Sequence, residues 1–170
     1  MNLESPRLVL GQLKREDVPL IHELHCQTEI AEFNTLGIPR ELSVTEKLLE
    51  NVFSIDNNKE FGWTVRLKDS NQFIGELGMG ISPEMDRGEI HYSIHPDYWG
   101  NGYATEAVKR VIDFGFATLH LEKIEANSAT ENIRSMKVLE KVGMLKVSIQ
   151  PKTLLIDGDW KDSYTYCIQP

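Results

Sequence analysis

The sequence predicts an α/β (α+β) domain: a mixed, mostly antiparallel central sheet of about seven strands with helices on both faces, in the order β-α-α-β-β-β-α-β-α-β-β. Three observations carry that prediction. Three β-type runs follow one another between residues 61 and 94 with only turns between them. From Tyr103 onward apolar side chains recur every three or four residues. A Gly-x-Gly turn, "WGNGYATEA", joins strand to helix. At 170 residues the chain has the length of one domain, residues 1–170, and can bury a sizeable core without disulfides.

Each element has its own signal. "RLVLGQLK" (7–14) is aliphatic, follows Pro6 and reads as the first strand. "REDVPLIHELHC" spaces Val18, Ile21, Leu24 and His25 along one helical face, with Asp17 and Pro19 at its start. Residues 28–42 have weak periodicity and the turn residues Gly37 and Pro39, so they read as helix end and loop. "SVTEKLLENVFS" opens with Ser43-x-x-Glu46, a capping-box pattern, and places Val44, Leu48, Leu49, Val52 and Phe53 on a stripe.

"FGWTVRLK" (61–68) and "FIGELGMGI" (73–81) flank the turn "DSN" as a hairpin, and "EIHYSIHP" extends it into a meander. In that last run Ile90, Tyr92 and Ile94 face one side, and Glu89, His91 and Ser93 the other. The stripe Ala104, Ala107, Val108, Val111, Ile112, Gly115, Phe116 and Leu119 makes a helix of about four turns. "KIEANSA" (123–129) is a short strand, and "ENIRSMKVLEKVGM" a helix stopped by Gly143. "LKVSI" and "DSYTYCI" add two strands around "DGDW".

The balance of 18 Lys plus Arg against 26 Asp plus Glu, a net charge of -8, argues against a nucleic-acid partner, because phosphate contacts need clustered cations. An amine would suit that field better. Cys26 and Cys167 stand far apart and form no Cys-x-x-Cys pair, so no metal site or disulfide framework is expected and reducing cytoplasm is the expected compartment. His22, His25 and His120 fall on helical patterns without metal-like grouping. The opening "MNLESPRLVLGQLKRED" has early charge and no long apolar core, so neither a signal peptide nor a membrane anchor is expected.

The glycines raise the functional question. The first turn of a helix offers backbone N–H groups with no intrahelical acceptor, at the positive end of the macrodipole. Gly100 and Gly102 leave those amides unobstructed, so residues 100 to 105 suit a phosphate or pyrophosphate; a tight turn without a ligand is the alternative. A P-loop is excluded because no Gly-x-x-x-x-Gly-Lys-Ser/Thr occurs, and the dinucleotide fingerprint because the turn follows an antiparallel meander.

The run "EIHYSIHPDYWGNGYATEAVKRVIDFGF", followed by "NSATENIRSMKVLEKVGM", resembles the GCN5-related N-acetyltransferase (GNAT) superfamily, in particular its ribosomal-protein-alanine acetyltransferase-like (RimJ/RimL) branch. "ESPRLVLGQLKREDVPLIHEL" is similar to that branch's opening, so the likeness spans nearly the whole chain. The resemblance implies that the loop and the next helix bind the pyrophosphate of acetyl-CoA through the amides of Gly100, Asn101, Gly102, Tyr103, Ala104 and Thr105. It places the backbone of Ile94 against the pantetheine arm and thioester carbonyl, and Asn132 against the same arm. The family's Gln/Arg-x-x-Gly-x-Gly/Ala pattern falls on Trp99, Gly102 and Ala104, with Trp99 departing at the first position. The tyrosine that in many relatives protonates the leaving thiolate is Leu139 here, and Ser135, three residues after Asn132, is this branch's substitute. Homodimers are common among such relatives.

Acyl transfer to an amine needs a neutral nucleophile, a stabilised oxyanion and a proton for the departing sulfur. Neutralising an α-amine at pH 7 costs roughly 1 kcal/mol, and a lysine-type amine roughly 4.6 kcal/mol, so an N-terminal amine is the easier acceptor. Glu89 and His91 share the strand face leading to the glycine loop and are the candidate bases; Glu76, on the neighbouring strand, ranks behind them. Phe33, Trp63 and Trp160 are aromatics that an acceptor pocket or the core would use, and 33–41 is the segment expected to set acceptor choice. The expected protein is an acetyl-CoA-dependent N-acetyltransferase acting by direct attack on a peptide or small-molecule amine. A non-catalytic acyl-CoA-binding module is the alternative.

Overall fold

The computed structural model describes residues 1–54 and 59–170. Its strands are β1 (Leu3–Glu4), β2 (Leu8–Gln12), β3 (Glu60–Leu67), β4 (Phe73–Ile81), β5 (Arg87–Ile94), β6 (Lys123–Ala129), β7 (Leu145–Ile156) and β8 (Asp159–Ile168). Its helices are α1 (Val18–His25), α2 (Thr28–Ala31), α3 (Leu42–Leu48), α4 (Tyr103–Ala117) and α5 (Ile133–Lys141). The strands form one sheet in the order β1-β2-β3-β4-β5-β6-β8-β7, so the predicted mixed α/β architecture holds with eight strands instead of seven. The additional one, β1, pairs only Leu3 and Glu4 with Leu10 and Val9, too short a run to register as a sequence pattern.

Alternation along the meander sorts the two faces. Phe61, Trp63 and Val65 on β3, Leu77 and Met79 on β4, and Ile90 and Ile94 on β5 point to the side covered by α4 and α5. Trp63 stacks on Phe61 with centroids 5.9 Å apart and meets Phe114 of α4 edge-on at 5.6 Å, so this tryptophan belongs to the core. Trp160 is exposed at the β7–β8 turn. On the opposite face α1 sets Val18 and Ile21 beside Leu13 and Leu49, and His25 reaches Glu76 of β4.

The second predicted helix is corrected in three respects. Helix α3 spans Leu42–Leu48, its N-cap is Glu41 with no side-chain capping bond, and Ser43 Oγ donates to Glu41 instead of closing a box with Glu46. Val44 and Leu48 are exposed while Thr45 and Leu49 turn inward, because Thr45 meets His22 of α1 at 2.9 Å and Leu49 joins Leu13, Val18 and Ile21, with Val52 and Phe53 of the 3-10 turn Glu50–Phe53 packed beside them. Residues 28–42, read as helix end and loop, begin with a separate one-turn helix, α2. His120 lies just past α4, exposed and left-handed at φ 56°, off any helical face. Helix α5 does end as expected: Gly143 takes φ 91° and the Met144 amide donates to the Leu139 carbonyl at 3.0 Å.

The sheet is not evenly closed. Strand β5 stays paired with β4 from Gly88 through Ile94. Against β6 it pairs only from Arg87 to Glu89, in parallel with Lys123 to Glu125, after which β6 continues alone with β8 to Ala129. Beyond that point β5 and β6 diverge and leave a gap through the middle of the sheet.

Candidate active site

That gap is the spine of a cleft of about 840 Å³, bounded by β5, β6, the glycine loop, α5 and the segment around α2. Its backbone lining follows from pairing geometry. The His95 amide donates to the Ile74 carbonyl at 2.8 Å, which makes Gly75 and Ile94 a non-hydrogen-bonded pair. The amides and carbonyls of Tyr92 and Ile94 therefore point away from β4, into the gap. Trp99 Nε1 takes up the Ile94 carbonyl at 2.5 Å, and the Ile94 amide remains as a donor facing the cleft.

The glycine loop is a rigid cradle. Gly100 and Gly102 lie at φ 79° and 80°, and Gly102 is the N-cap of α4. A Cβ at Gly100 would meet nothing within 4 Å and one at Gly102 only Arg7, at 3.5 Å, so left-handed backbone, more than crowding, demands glycine here. The first bond of α4 runs from the Glu106 amide to the Gly102 carbonyl, which leaves the amides of Tyr103, Ala104 and Thr105 without an intrahelical acceptor.

Asn101 stays folded over the turn, its Nδ2 donating to the Trp99 carbonyl at 3.0 Å. Arg7, from the stretch before β2, donates to the Asn101 carbonyl at 3.0 Å, pairs with Glu106 at 2.7 Å and lies 4.6 Å over the Tyr103 ring. Burial raises the Glu106 pKa, but the bonds it accepts from Arg7 and Ser5 outweigh that and hold it below the ordinary carboxylate range. Nothing in the spacing of the sequence pointed to this clamp, because Arg7 is almost a hundred residues from the loop.

Two residues predicted to touch a cofactor also have structural duties. Trp99 ties the loop to the end of β5 and stacks under Arg134, whose guanidinium carbon is 4.2 Å from the ring centroid. Asn132 caps α5, its Oδ1 accepting from the Ser135 amide at 3.1 Å, and its side-chain NH2 is the group left to face the cleft. Ser135 lines the cleft one turn above Leu139, which is fully buried in the core. The Tyr92 hydroxyl lies 2.9 Å from Ser135 Oγ and 3.2 Å from its carbonyl oxygen, a partner missed at the sequence level. Burial pushes the Tyr92 phenol up to about 12.

The other arm of the cleft is made of side chains. Glu76, 7% exposed, lies 3.5 Å from His25 Nε2. Burial alone would raise its pKa, but hydrogen bonds from His25 and Ser93 and the nearby His91 hold it below the ordinary range. Glu60 goes the other way: burial, with Glu89 nearby, raises it despite His91. Glu89 and His91 are both exposed on the predicted common face. Glu89 accepts from Asn127 Nδ2 at 2.8 Å, and Thr165 donates to Asn127 Oδ1 at 2.8 Å, a chain that crosses from β5 to β8. Phe33, Asn34 and Thr35, the first residues of the 33–41 segment, line the same arm. Among the described residues no cluster could hold a metal ion, and no helix is long and apolar enough to cross a membrane.

A bipartite cleft with a helix-terminal amide cradle at one end and a splayed strand in the middle matches a known family. The Acetyltransferase (GNAT) domain model matches residues 7–145, so this chain belongs to the GNAT acetyltransferases. The Bacillus subtilis uncharacterized N-acetyltransferase YoaA is 27% identical over 168 residues, 98% of this chain and 95% of its own. Spermidine N(1)-acetyltransferase of Escherichia coli K12 is 26% identical over 161 residues, 94% of this chain and 84% of its own. The structure of spermidine N-acetyltransferase from Vibrio cholerae in complex with CoA and spermine superposes with a TM-score of 0.85 at 24% identity, covering 97% of this chain and 96% of that one. The chain is an acetyl-CoA-dependent N-acetyltransferase, as the sequence predicted. The residues fit the cofactor: the left-handed glycines and free first-turn amides suit a pyrophosphate, and the gap between β5 and β6 suits an extended arm.

Proposed function

We propose that the acceptor is a primary amine on a small polycation, of the spermidine type named for one relative. The observation that carries this is the division of charge along the cleft. Glu60, Glu76 and Glu89 gather around His91 on the strand side of the cleft, whereas Arg134, Lys137 and Lys141 line it from α5. A cationic amine gains at the first and an anionic cofactor at the second. Acetyl-CoA supplies a thioester-activated acetyl group and a thiol leaving group. The amides of Gly100 through Thr105 hold its pyrophosphate, and the Ile94 amide and Asn132 orient its arm. Glu89 and His91 take the proton of the incoming amine, directly or through water, and keep the nucleophile neutral. Ser135 would pass its hydroxyl proton to the leaving sulfur and regain one from water in the cleft. Transfer is direct, within a ternary complex, and involves neither free cysteine.

The test is thiol release from acetyl-CoA across polyamines, N-terminal peptides and aminoglycosides. Turnover highest with polyamines supports the proposal, and a preference for uncharged or peptide amines overturns it. A protein N-terminal α-amine is the second acceptor, favoured by Ser135 beside Leu139, the substitution pattern of the ribosomal-protein-alanine branch, and by the lower cost of neutralising an α-amine. We further propose a single catalytic domain over residues 1–170, acting in the cytoplasm as a homodimer. Supporting the dimer, the edge strand β7 leaves Leu145, Val147 and Ile149 exposed.

A further inference from the structure

We infer that Tyr92 is a positioning residue for the proton transfer to the leaving sulfur: its hydroxyl donates to Ser135 Oγ and thereby turns the Ser135 proton into the cleft. This rests on the assignment of Ser135 as proton donor made above. A serine in the first turns of a helix has a competing habit, donating to a backbone carbonyl of its own helix, which removes its proton from any external partner. In α5 the Ser135 amide is already fixed by Asn132 at 3.1 Å, so only the hydroxyl is left to rotate.

Tyr92 has one proton and two acceptors in reach, Ser135 Oγ at 2.9 Å and the Ser135 carbonyl at 3.2 Å. Donation to Oγ, the shorter contact, fills one lone pair of the serine oxygen and sends its own proton elsewhere. The open direction is the cleft, which both residues line. Donation to the carbonyl would let Oγ give its proton back to Tyr92, leaving none for the substrate. Because burial keeps the phenol protonated, Tyr92 serves as a standing donor. Helix α5 thus supplies the hydroxyl from Ser135, with Leu139 one turn on, and β5 supplies Tyr92 to orient it.

A hydroxyl aimed at the sulfur favours thiolate over thiol, so it lowers the pKa of the bound coenzyme A thiol. Calorimetric titration of coenzyme A between pH 6.5 and 9 reads this without turnover. For a lowering of about one pKa unit from an alkyl-thiol value of about 9.5, wild type is expected to bind about threefold tighter at pH 9 than at pH 6.5. Tyr92→Phe, which keeps the ring, should flatten that dependence as Ser135→Ala does. It should also lower kcat about tenfold at unchanged KM for acetyl-CoA, and cost nothing further in the Ser135→Ala background.

Fluorotyrosine at position 92, a stronger donor of the same shape, should move the thiol pKa lower still, and it provides the reading if Tyr92→Phe does not fold. A Tyr92→Phe enzyme with wild-type pH dependence, or one whose loss adds fully to that of Ser135→Ala, overturns the inference while leaving Ser135 in place. A Ser135→Ala enzyme with wild-type kcat and wild-type pH dependence overturns both assignments.

Discussion

The two ends of the cleft are built from different materials. The end proposed for the cofactor is backbone: amides of a glycine turn and of a helix terminus, with a strand edge left open by a splay. The end proposed for the acceptor is side chains: Glu76, Glu89 and His91 from two strands, His25 from a helix, and Phe33 from the segment after α2. A backbone site requires particular dihedrals and tolerates variation around them. A side-chain site requires a particular set of groups and depends on every element that delivers one.

The widest test of this contrast is Gly102→Glu, which puts a side chain at φ 80° and a negative charge in the anion cradle. Coenzyme A affinity should fall more than about 100-fold, while the acceptor end and the far-UV circular dichroism stay unchanged; calorimetry and spectroscopy read the two. Gly78→Ala is the complementary change. Its Cβ would come within 2.3 Å of the His91 ring, which must swing away, so kcat should drop about tenfold with coenzyme A affinity preserved. An equal loss of affinity would show that the two ends are not separable.

Glu76→Ala probes whether the acceptor end also supports the fold. It removes the partner of His25, whose Nδ1 is already buried without a hydrogen bond, and should cost about 2 kcal/mol in denaturant unfolding. The sign of the pH dependence follows from the lowered folded-state pKa of Glu76. Its stabilisation is present above the ordinary value of 4.5 and disappears as pH falls through the lower folded value, so wild type should lose stability in that acid window and the variant less. The smallest effect belongs to Arg7→Ala, at a half-exposed clamp. Coenzyme A should bind roughly threefold to tenfold more weakly, because the loop must be ordered on binding.

Legibility followed the same division. Gly100 and Gly102 were readable because a left-handed backbone leaves a residue type in the sequence, and the helix after them because its stripe of Ala107, Val108, Val111 and Ile112 is one continuous period. Glu89 and His91 were readable as neighbours because alternation along one strand puts them on one face. The His25–Glu76 pair was not, since its members lie about fifty residues apart on different elements. The Ser43-x-x-Glu46 pattern failed as a cap because the local motif lost to the way α3 packs and tightens into the following 3-10 turn.

The sequence by itself determined the order of the longer strands and helices, the glycine turn and, through its motifs, the family and its cofactor, because these depend on local dihedrals and short periods. Only the tertiary structure decided that β5 parts from β6 after Glu89, that Arg7 clamps the loop, and that Tyr92 meets Ser135. Those contacts join residues about forty or more positions apart, and a contact of that span has no period in the chain: it exists only once the sheet has been assembled.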